Sequence, residues 1–354
     1  LKNLARGLVE RVFHIAGPEG LGTVPQPREG VFKRLTSIRS RLVSATCRTP
    51  VVEREEYPQL YHGRKRGIYQ RAVDSLATVA VQRRDAFVNT FIKAEKVNFT
   101  KKVDPAPRVI QPRTPRYNVE VGRYLKLLEK SVFGAFRKVF GYHVVLKGLN
   151  ASEVAAQLRS SWDCFSRPVA VGLDASRFDQ HVSRAALEWE HSVYNMVFRD
   201  ATLARLLSWQ LVNVGYAFVE GHRVDYQVEG KRMSGDINTG LGNCLLMSCM
   251  VIAFCEEMGI THRLANNGDD CVLIVEAADL SRLDGLDSWM LDFGFTLTRE
   301  PPVRVFEKIE FCQANPVFTT SGWRMVRNPL VSMSKDMVSL HGWGCEDEVR
   351  YWLH

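Results

Sequence analysis

Gly172-Leu173-Asp174-Ala175-Ser176-Arg177-Phe178-Asp179-Gln180-His181-Val182-Ser183 follows directly on the apolar run Pro168-Val169-Ala170-Val171. The run predicts a buried strand ending on a carboxylate, Asp174, with Asp179 just beyond a turn. Downstream, Asn266-Asn267-Gly268-Asp269-Asp270 lies between the apolar stretches 262–264 and 272–276. That order predicts strand, tight turn, strand, with both aspartates at the tip. Between the two lies Ser234-Gly235-Asp236-Ile237-Asn238-Thr239-Gly240-Leu241-Gly242-Asn243, a glycine-rich loop opening an apolar helix that ends near Met258.

Outward from these stretches, 185–198 and 280–293 read as helices, 216–227 as a hairpin turning at Glu220-Gly221, and 295–298 and 303–313 as strands. Upstream, 68–84 and 119–140 have helical spacing, and 87–99 reads as extended. The basic, glycine-flanked 61–67 and the four-proline 101–115 read as loops. The alternation over 168–313 predicts an α+β fold with helices on one face of a sheet.

The chain has 354 residues, 45% hydrophobic and 24% charged, which excludes wholesale disorder and collagen-like repetition. Its length suits two domains or one large multilobed unit. The net charge of +8 is unevenly spread. Residues 1–130 carry 26 basic and 12 acidic groups, net +14, and the rest carry 21 and 27, net −6. A basic first third suits a polyanion, although a solvated basic surface explains the charge equally well. The eight cysteines, Cys47, Cys164, Cys244, Cys249, Cys255, Cys271, Cys312 and Cys345, show no Cys-x-x-Cys spacing. They read as buried free thiols of a reducing compartment. The longest apolar run, 245–255, is too short for a span and reads as a core helix. No signal peptide is visible, and a start at Leu1 rather than Met reads as a fragment or excised domain.

Three groups carry chemistry. A partly buried carboxylate is costly unless paired or coordinated. Strands ending side by side can bring Asp174 and Asp269 together, and hard oxygen ligands select Mg²⁺ or Mn²⁺. Two such ions would suit an in-line phosphoryl displacement. Taken singly, each group has a plainer reading: a strand-end turn residue, a common Gly-Asp-Asp hairpin, a Ser-Gly helix cap. Their joint occurrence in order is what excludes chance.

In that order the motifs resemble the palm of RNA-dependent RNA polymerases of positive-strand RNA viruses, most nearly the tombusvirus-like (carmovirus-type) group. The likeness runs over about 61–335. It includes Ile309-Glu310-Phe311-Cys312-Gln313, similar to a primer-grip turn. Phe91-Ile92-Lys93-Ala94-Glu95-Lys96 and Pro107-Arg108-Val109-Ile110-Gln111-Pro112-Arg113 resemble a basic fingers motif. The resemblance implies a right-hand polymerase with a ferredoxin-like antiparallel palm sheet. Residues 1–165 would form the N-terminal region and fingers, 166–185 and 229–318 the palm, 186–228 a fingers insertion, and 319–354 the start of a thumb.

It implies that Asp174 and Asp269 hold two metals, with Asp270 supporting, and that Asp179 and Asn243 read the ribose 2′-OH. Ser234 and Thr239 belong to the same ribose set, and with Gly235 and Gly240 they shape a loop under the template and nucleotide. Lys93, Lys96, Arg108 and Arg113 would contact the triphosphate, consistent with the pairing of arginine to phosphate. Some of these would instead pair with Glu95 or Asp104. A lysine expected after the Gly294-Phe295-Thr296-Leu297-Thr298 stretch is replaced by Arg299 and Arg304, so that either Lys308 serves as general acid or water or pyrophosphate itself takes that role. The implied partners are an RNA template and nascent RNA, NTPs, other viral replication proteins, and host membranes reached through segments outside this chain. The implied place is a membrane-associated replication complex in the host cytoplasm. A reverse transcriptase shares such a palm, and a non-catalytic RNA-binding protein would use only the basic third.

Overall fold

The computed structural model describes residues 1–17, 20–97 and 103–336. Cys345 and the second half of the segment expected to start a thumb, 337–354, lie outside the described residues, as do 98–99 of the expected extended segment and 101–102 of the proline-rich loop.

Helix α1 (Pro115–Phe140) opens with Pro115, preset for a first turn, after Thr114, whose side chain accepts the Tyr117 N–H at 3.3 Å. There follow strand β1 (Pro168–Ala175), helix α2 (Arg184–Phe198) and the hairpin β2 (Val212–Val219) and β3 (His222–Glu229). Then come helix α3 (Thr239–Glu257) and strands β4 (His262–Asn266), β5 (Asp270–Glu276) and β6 (Leu297–Arg299). The central sheet runs β6–β1–β5–β4, every neighbour antiparallel.

Alternate side chains along these strands enter two cores. Val171, Leu173 and Ala175 of β1 join Cys271, Leu273 and Val275 of β5 in a large core with α1, α2 and α3. Ala170 of β1 joins Val272 and Ile274 of β5 in a smaller core with Trp162, Phe306 and Ile309. The sheet is therefore covered on both faces, where helices on one face were expected. Burial on both faces is why its strands read as unbroken apolar runs. Helix α3 is long and apolar enough to cross a membrane by length and composition alone, yet 83% of it is buried inside the protein. It is apolar all round because other elements surround it.

Other expectations shift. The basic run Arg64-Lys65-Arg66 lies in the first turns of a helix, Gly63–Thr78, not in a loop. The expected strand over 303–313 is a short turn of helix, Phe306–Lys308, with single bridges from Val303 to Ala170 and from Phe311 to Ala314. The segment 280–293 divides into Ala277–Gly285 and Leu286–Asp292. The extended segment beginning at 87 forms two two-residue strands, Val88–Asn89 and Phe91–Ile92. Cys244, Cys249, Cys255 and Cys271 are buried as expected, but Cys47 and Cys164 are exposed.

Candidate active site

The β4–β5 turn is built by Asn266. Its Oδ1 accepts the Gly268 N–H at 3.0 Å and its amide donates to the Gly268 carbonyl at 2.7 Å. Gly268 sits at φ +102, a left-handed conformation that favours glycine. The turn carries Asp269, and β5 begins at Asp270. Register then decides the site: Asp270, not Asp269, lies directly opposite Asp174 of β1. Asp269 stands one residue further out, at the tip.

All three aspartates line one cleft of about 360 Å³. Two further carboxylates, Glu300 and Glu310, line it too, and among the described residues no Lys, Arg or His does. Sequence reasoning missed both glutamates. Glu300 follows the Gly294–Thr298 stretch, and its carboxylate lies over Gly172 of β1, in the space a Cβ would occupy. Burial pushes the Asp270 carboxyl above its ordinary value, and Asp269 and Asp174 add to the rise against a hydrogen bond from Cys312. Burial likewise raises Glu300, with Glu310, Asp270 and Asp174 adding to it. The Cys312 N–H donates to Asp270 Oδ2 at 2.9 Å from a turn in which Cys312 and Gln313 are both left-handed, at φ +53 and +60. The 309–313 segment thus aims a backbone donor at the cleft.

Asp179 and Asn243 meet: the Asn243 amide donates to Asp179 Oδ1 at 2.9 Å. They do not line the cleft, although Asp269 is near enough to raise Asp179 further, after burial. Behind Asn243 stands a network the sequence reading missed. Arg232 Nε donates to Asn243 Oδ1 at 3.2 Å, and its guanidinium pairs with Glu190, both side chains fully buried. Burial works against the Arg232 charge, and Glu190 overcomes it, holding the guanidinium above its ordinary pKa. The legible signal was Glu190 itself, a carboxylate on the apolar face of α2 with Ala186, Val193 and Tyr194.

The loop residues have internal roles. Ser234 Oγ accepts the Gln111 N–H at 3.1 Å, and Thr239 Oγ1 donates to the Asp236 carbonyl at 2.9 Å. Ser234 and Gly235 line a second cavity, of about 370 Å³, with Tyr61, Lys65, Tyr69 and Lys126. Gly235 lies against the Pro112 backbone, where a Cβ would clash, whereas a Cβ at Gly240 would meet mainly the movable end of the Lys147 side chain.

Among the fingers candidates, Arg113 is corrected outright. It is buried, paired with Asp236, and donates to the Ala86 carbonyl and, at 2.6 Å, to Asn213 Oδ1. Such an arginine is spent on the fold. Lys93 and Arg108 both reach Glu95, at 3.4 and 3.2 Å, while Asp104 pairs with Arg6 at 2.6 Å. Lys96 is exposed on the same segment. Arg11, missed in the sequence, lies near both Arg177 and Arg108: burial lowers the Arg11 pKa, and the Arg177 and Arg108 charges lower it further. None of these basic groups lines the carboxylate cleft. Lys308 is exposed and outside the cleft lining, and Arg299 is turned to Asp284 and Asp287. Among the described residues no group of three His, Cys, Asp or Glu side chains converges closely enough to hold an ion as it stands.

The sequence matches the family described as viral RNA dependent RNA polymerase over residues 1–354. It is 50% identical to the RNA-directed RNA polymerase of Turnip crinkle virus over 100% of this chain and 45% of that protein. It is 50% identical to that of Carnation mottle virus, over 99% and 46%, and 48% identical to that of Tobacco necrosis virus strain A, over 100% and 49%. The chain thus spans about half the length of these relatives. With two of its aspartate motifs on neighbouring strands of one antiparallel sheet and the third motif opening α3, the chain belongs to the viral RNA-dependent RNA polymerase family.

Proposed function

We propose that this chain is the polymerising part of an RNA-directed RNA polymerase that replicates a positive-strand RNA virus genome from NTPs. One observation carries the reading. Asp174 and Asp270 face each other across β1 and β5, with Asp269 beside them, in a cleft that among the described residues is lined by five carboxylates and no basic side chain. Like charges gathered this way suit divalent cations, and an all-oxygen donor set selects Mg²⁺ or Mn²⁺. Asp174, Asp269 and Asp270 would hold two such ions. When bound, the ions stabilise charge on the attacking and leaving oxygens of a phosphoryl displacement.

The chain's own residues do the rest. The Cys312 N–H orients Asp270. Asp179 and Asn243 offer an acceptor and a donor side by side, which matches a ribose 2′-OH. Lys93 and Arg108, paired with Glu95, would exchange that carboxylate for the triphosphate of an incoming nucleotide. In this reading β1, β4, β5 and β6 form the palm of a right hand, of ferredoxin-like type. Residues 1–165 and 186–228 form the fingers, and the chain from 319 begins a thumb. RNA template, nascent RNA and NTPs are its ligands. Other replication proteins and host membranes are its surroundings, in replication complexes of the host cytoplasm.

The test is incorporation of labelled NTPs on an RNA template with Mg²⁺ or Mn²⁺ and with chelator. Asp174→Ala and Asp269→Asn should each cut synthesis by about 10²–10³-fold or more while RNA binding persists. Preference for dNTPs would make it a reverse transcriptase. Synthesis surviving either substitution would remove the metal assignment, and RNA retention without synthesis by the unsubstituted protein would leave a binding module.

A further inference from the structure

Two side chains behind the sugar-reading pair have no part in the chemistry above, and their burial needs a reason. Arg232 and Glu190 are the guanidinium and carboxylate of an ion pair with no exposed surface. Fully buried pairs are poor stabilisers, because desolvation offsets their attraction, and apolar replacements of similar volume are often neutral. This pair is also heavily built in. Glu190 Oε1 accepts from the Tyr194 hydroxyl and from the Asn238 amide, both at 2.7 Å, and Oε2 accepts from Arg232. Asn238 is held in turn by Gln210 at 3.1 Å. At Gly242 any Cβ would run into both the guanidinium and the carboxylate, so α3 approaches the pair only through a glycine.

Arg232 is the one residue of this network that touches both members of the sugar-reading pair. Its backbone N–H donates to the Asp179 carbonyl at 2.9 Å, and its Nε donates to Asn243 Oδ1 at 3.2 Å. An arginine can only donate, so the Asn243 oxygen must face it and the amide nitrogen must face Asp179. One Asn243 N–H and one Asp179 oxygen then remain for a ligand. A 2′-hydroxyl donates to one and accepts from the other, whereas a 2′-deoxyribose satisfies neither. Hydrogen bonds weaken steeply with misalignment, so this selectivity depends on how firmly the amide is held.

From these contacts we infer that the Arg232–Glu190 pair is a positioning element for sugar selection, holding Asn243 and Asp179 so that ribonucleotides are preferred to deoxyribonucleotides. The inference rests on the reading of Asp179 and Asn243 as the ribose contact. Two variants separate positioning from mere structure. Arg232→Lys keeps the charge opposite Glu190 but lacks Nε. The double variant Arg232→Met with Glu190→Gln removes both charges together and leaves an amide oxygen for Tyr194 and Asn238.

Each purified protein is titrated with ATP and with 2′-deoxyATP in Mg²⁺ without template, then assayed for incorporation of both, with thermal melting alongside. The expected result is a folded variant whose preference for ATP falls by about tenfold or more, the value of roughly one well-made hydrogen bond. The loss should appear in the Kd and KM for ATP, with binding of 2′-deoxyATP and kcat at saturating ATP nearly unchanged. A folded variant of either kind that keeps the original preference overturns the inference. So does collapse of both variants, because the pair would then serve stability. An unsubstituted protein that prefers ATP in binding but incorporates nothing overturns the polymerase reading and leaves this one standing, while absence of any preference overturns this one.

Discussion

Two regions of this molecule that both act on Asp179 are built on opposite rules. In the interior, Glu190 faces Arg232 and Asp236 faces Arg113, and every one of these four side chains is almost wholly out of water. In the cleft, Asp174, Asp269, Asp270, Glu300 and Glu310 gather with no basic group among the described residues that line it. Matched charge, once buried, fixes geometry, because each partner has one place to be. Unmatched charge at a surface costs the protein energy until something positive arrives, and it marks where a ligand belongs.

The contrast predicts first that cutting a matched pair is the most damaging change. Arg113→Met leaves Asp236 buried and alone, and strips Asn213 and the Ala86 carbonyl of their donor. Denaturant unfolding should show a loss of about 3–5 kcal/mol. Adding Asp236→Leu should recover much of it, since the stranded charge is then gone. A loss confined to a few tenths would mean that Arg113 is not the keystone its contacts make it.

A smaller effect comes from a proton that the matched region excludes. His191 is buried against the same network, its Nε2 3.1 Å from Gln210 Oε1. Burial lowers its pKa to about 4, against the pull of Glu190 and with help from Arg232. The unfolded chain takes up this proton near its ordinary value of about 6.5. Stability is therefore complete above that pH and falls as pH drops toward 4, because only the unfolded state binds the proton. The contribution is on the order of 3 kcal/mol across the window. His191→Gln should flatten the curve by that amount, and an unchanged acid limb would place the proton elsewhere.

The two regions were unequally legible in the sequence. The cleft could be read because its parts are local: an apolar run ending in Asp174, and a glycine turn presenting Asp269 and Asp270. Even there the exact facing could not be read: Asp174 and Asp269 do share the cleft, but register, a property of two strands, puts Asp270 directly opposite Asp174. Glu300 and Glu310 were invisible because nothing local distinguishes a carboxylate aimed at a cleft from one aimed at water. Arg113 was misread for the same reason. A proline-flanked arginine in a basic segment looks like a phosphate ligand until Asp236, far along the chain, is folded onto it. The matched region is made wholly of such long-range pairs, and only Glu190, polar on an apolar helical face, signalled it.

The unmatched region supplies the smallest and most discriminating prediction, because its sign is reversed. Asp270→Asn removes one negative charge from a cleft that holds five and keeps a side-chain oxygen to accept the Cys312 N–H. Residues gathered for a ligand rather than for the fold are the ones whose loss stabilises the protein while harming function. In chelator the variant should therefore unfold later than the unsubstituted protein, by about 0.5–1 kcal/mol, since the site is partly solvated and the repulsion partly screened. With Mg²⁺ the order should narrow or invert, because binding to the native state stabilises the protein that keeps the charge. Synthesis should fall in both conditions. A variant less stable than the parent in chelator would show that Asp270 belongs to the matched kind, held by the fold for the fold, and the division drawn between the two regions would fail at its central residue.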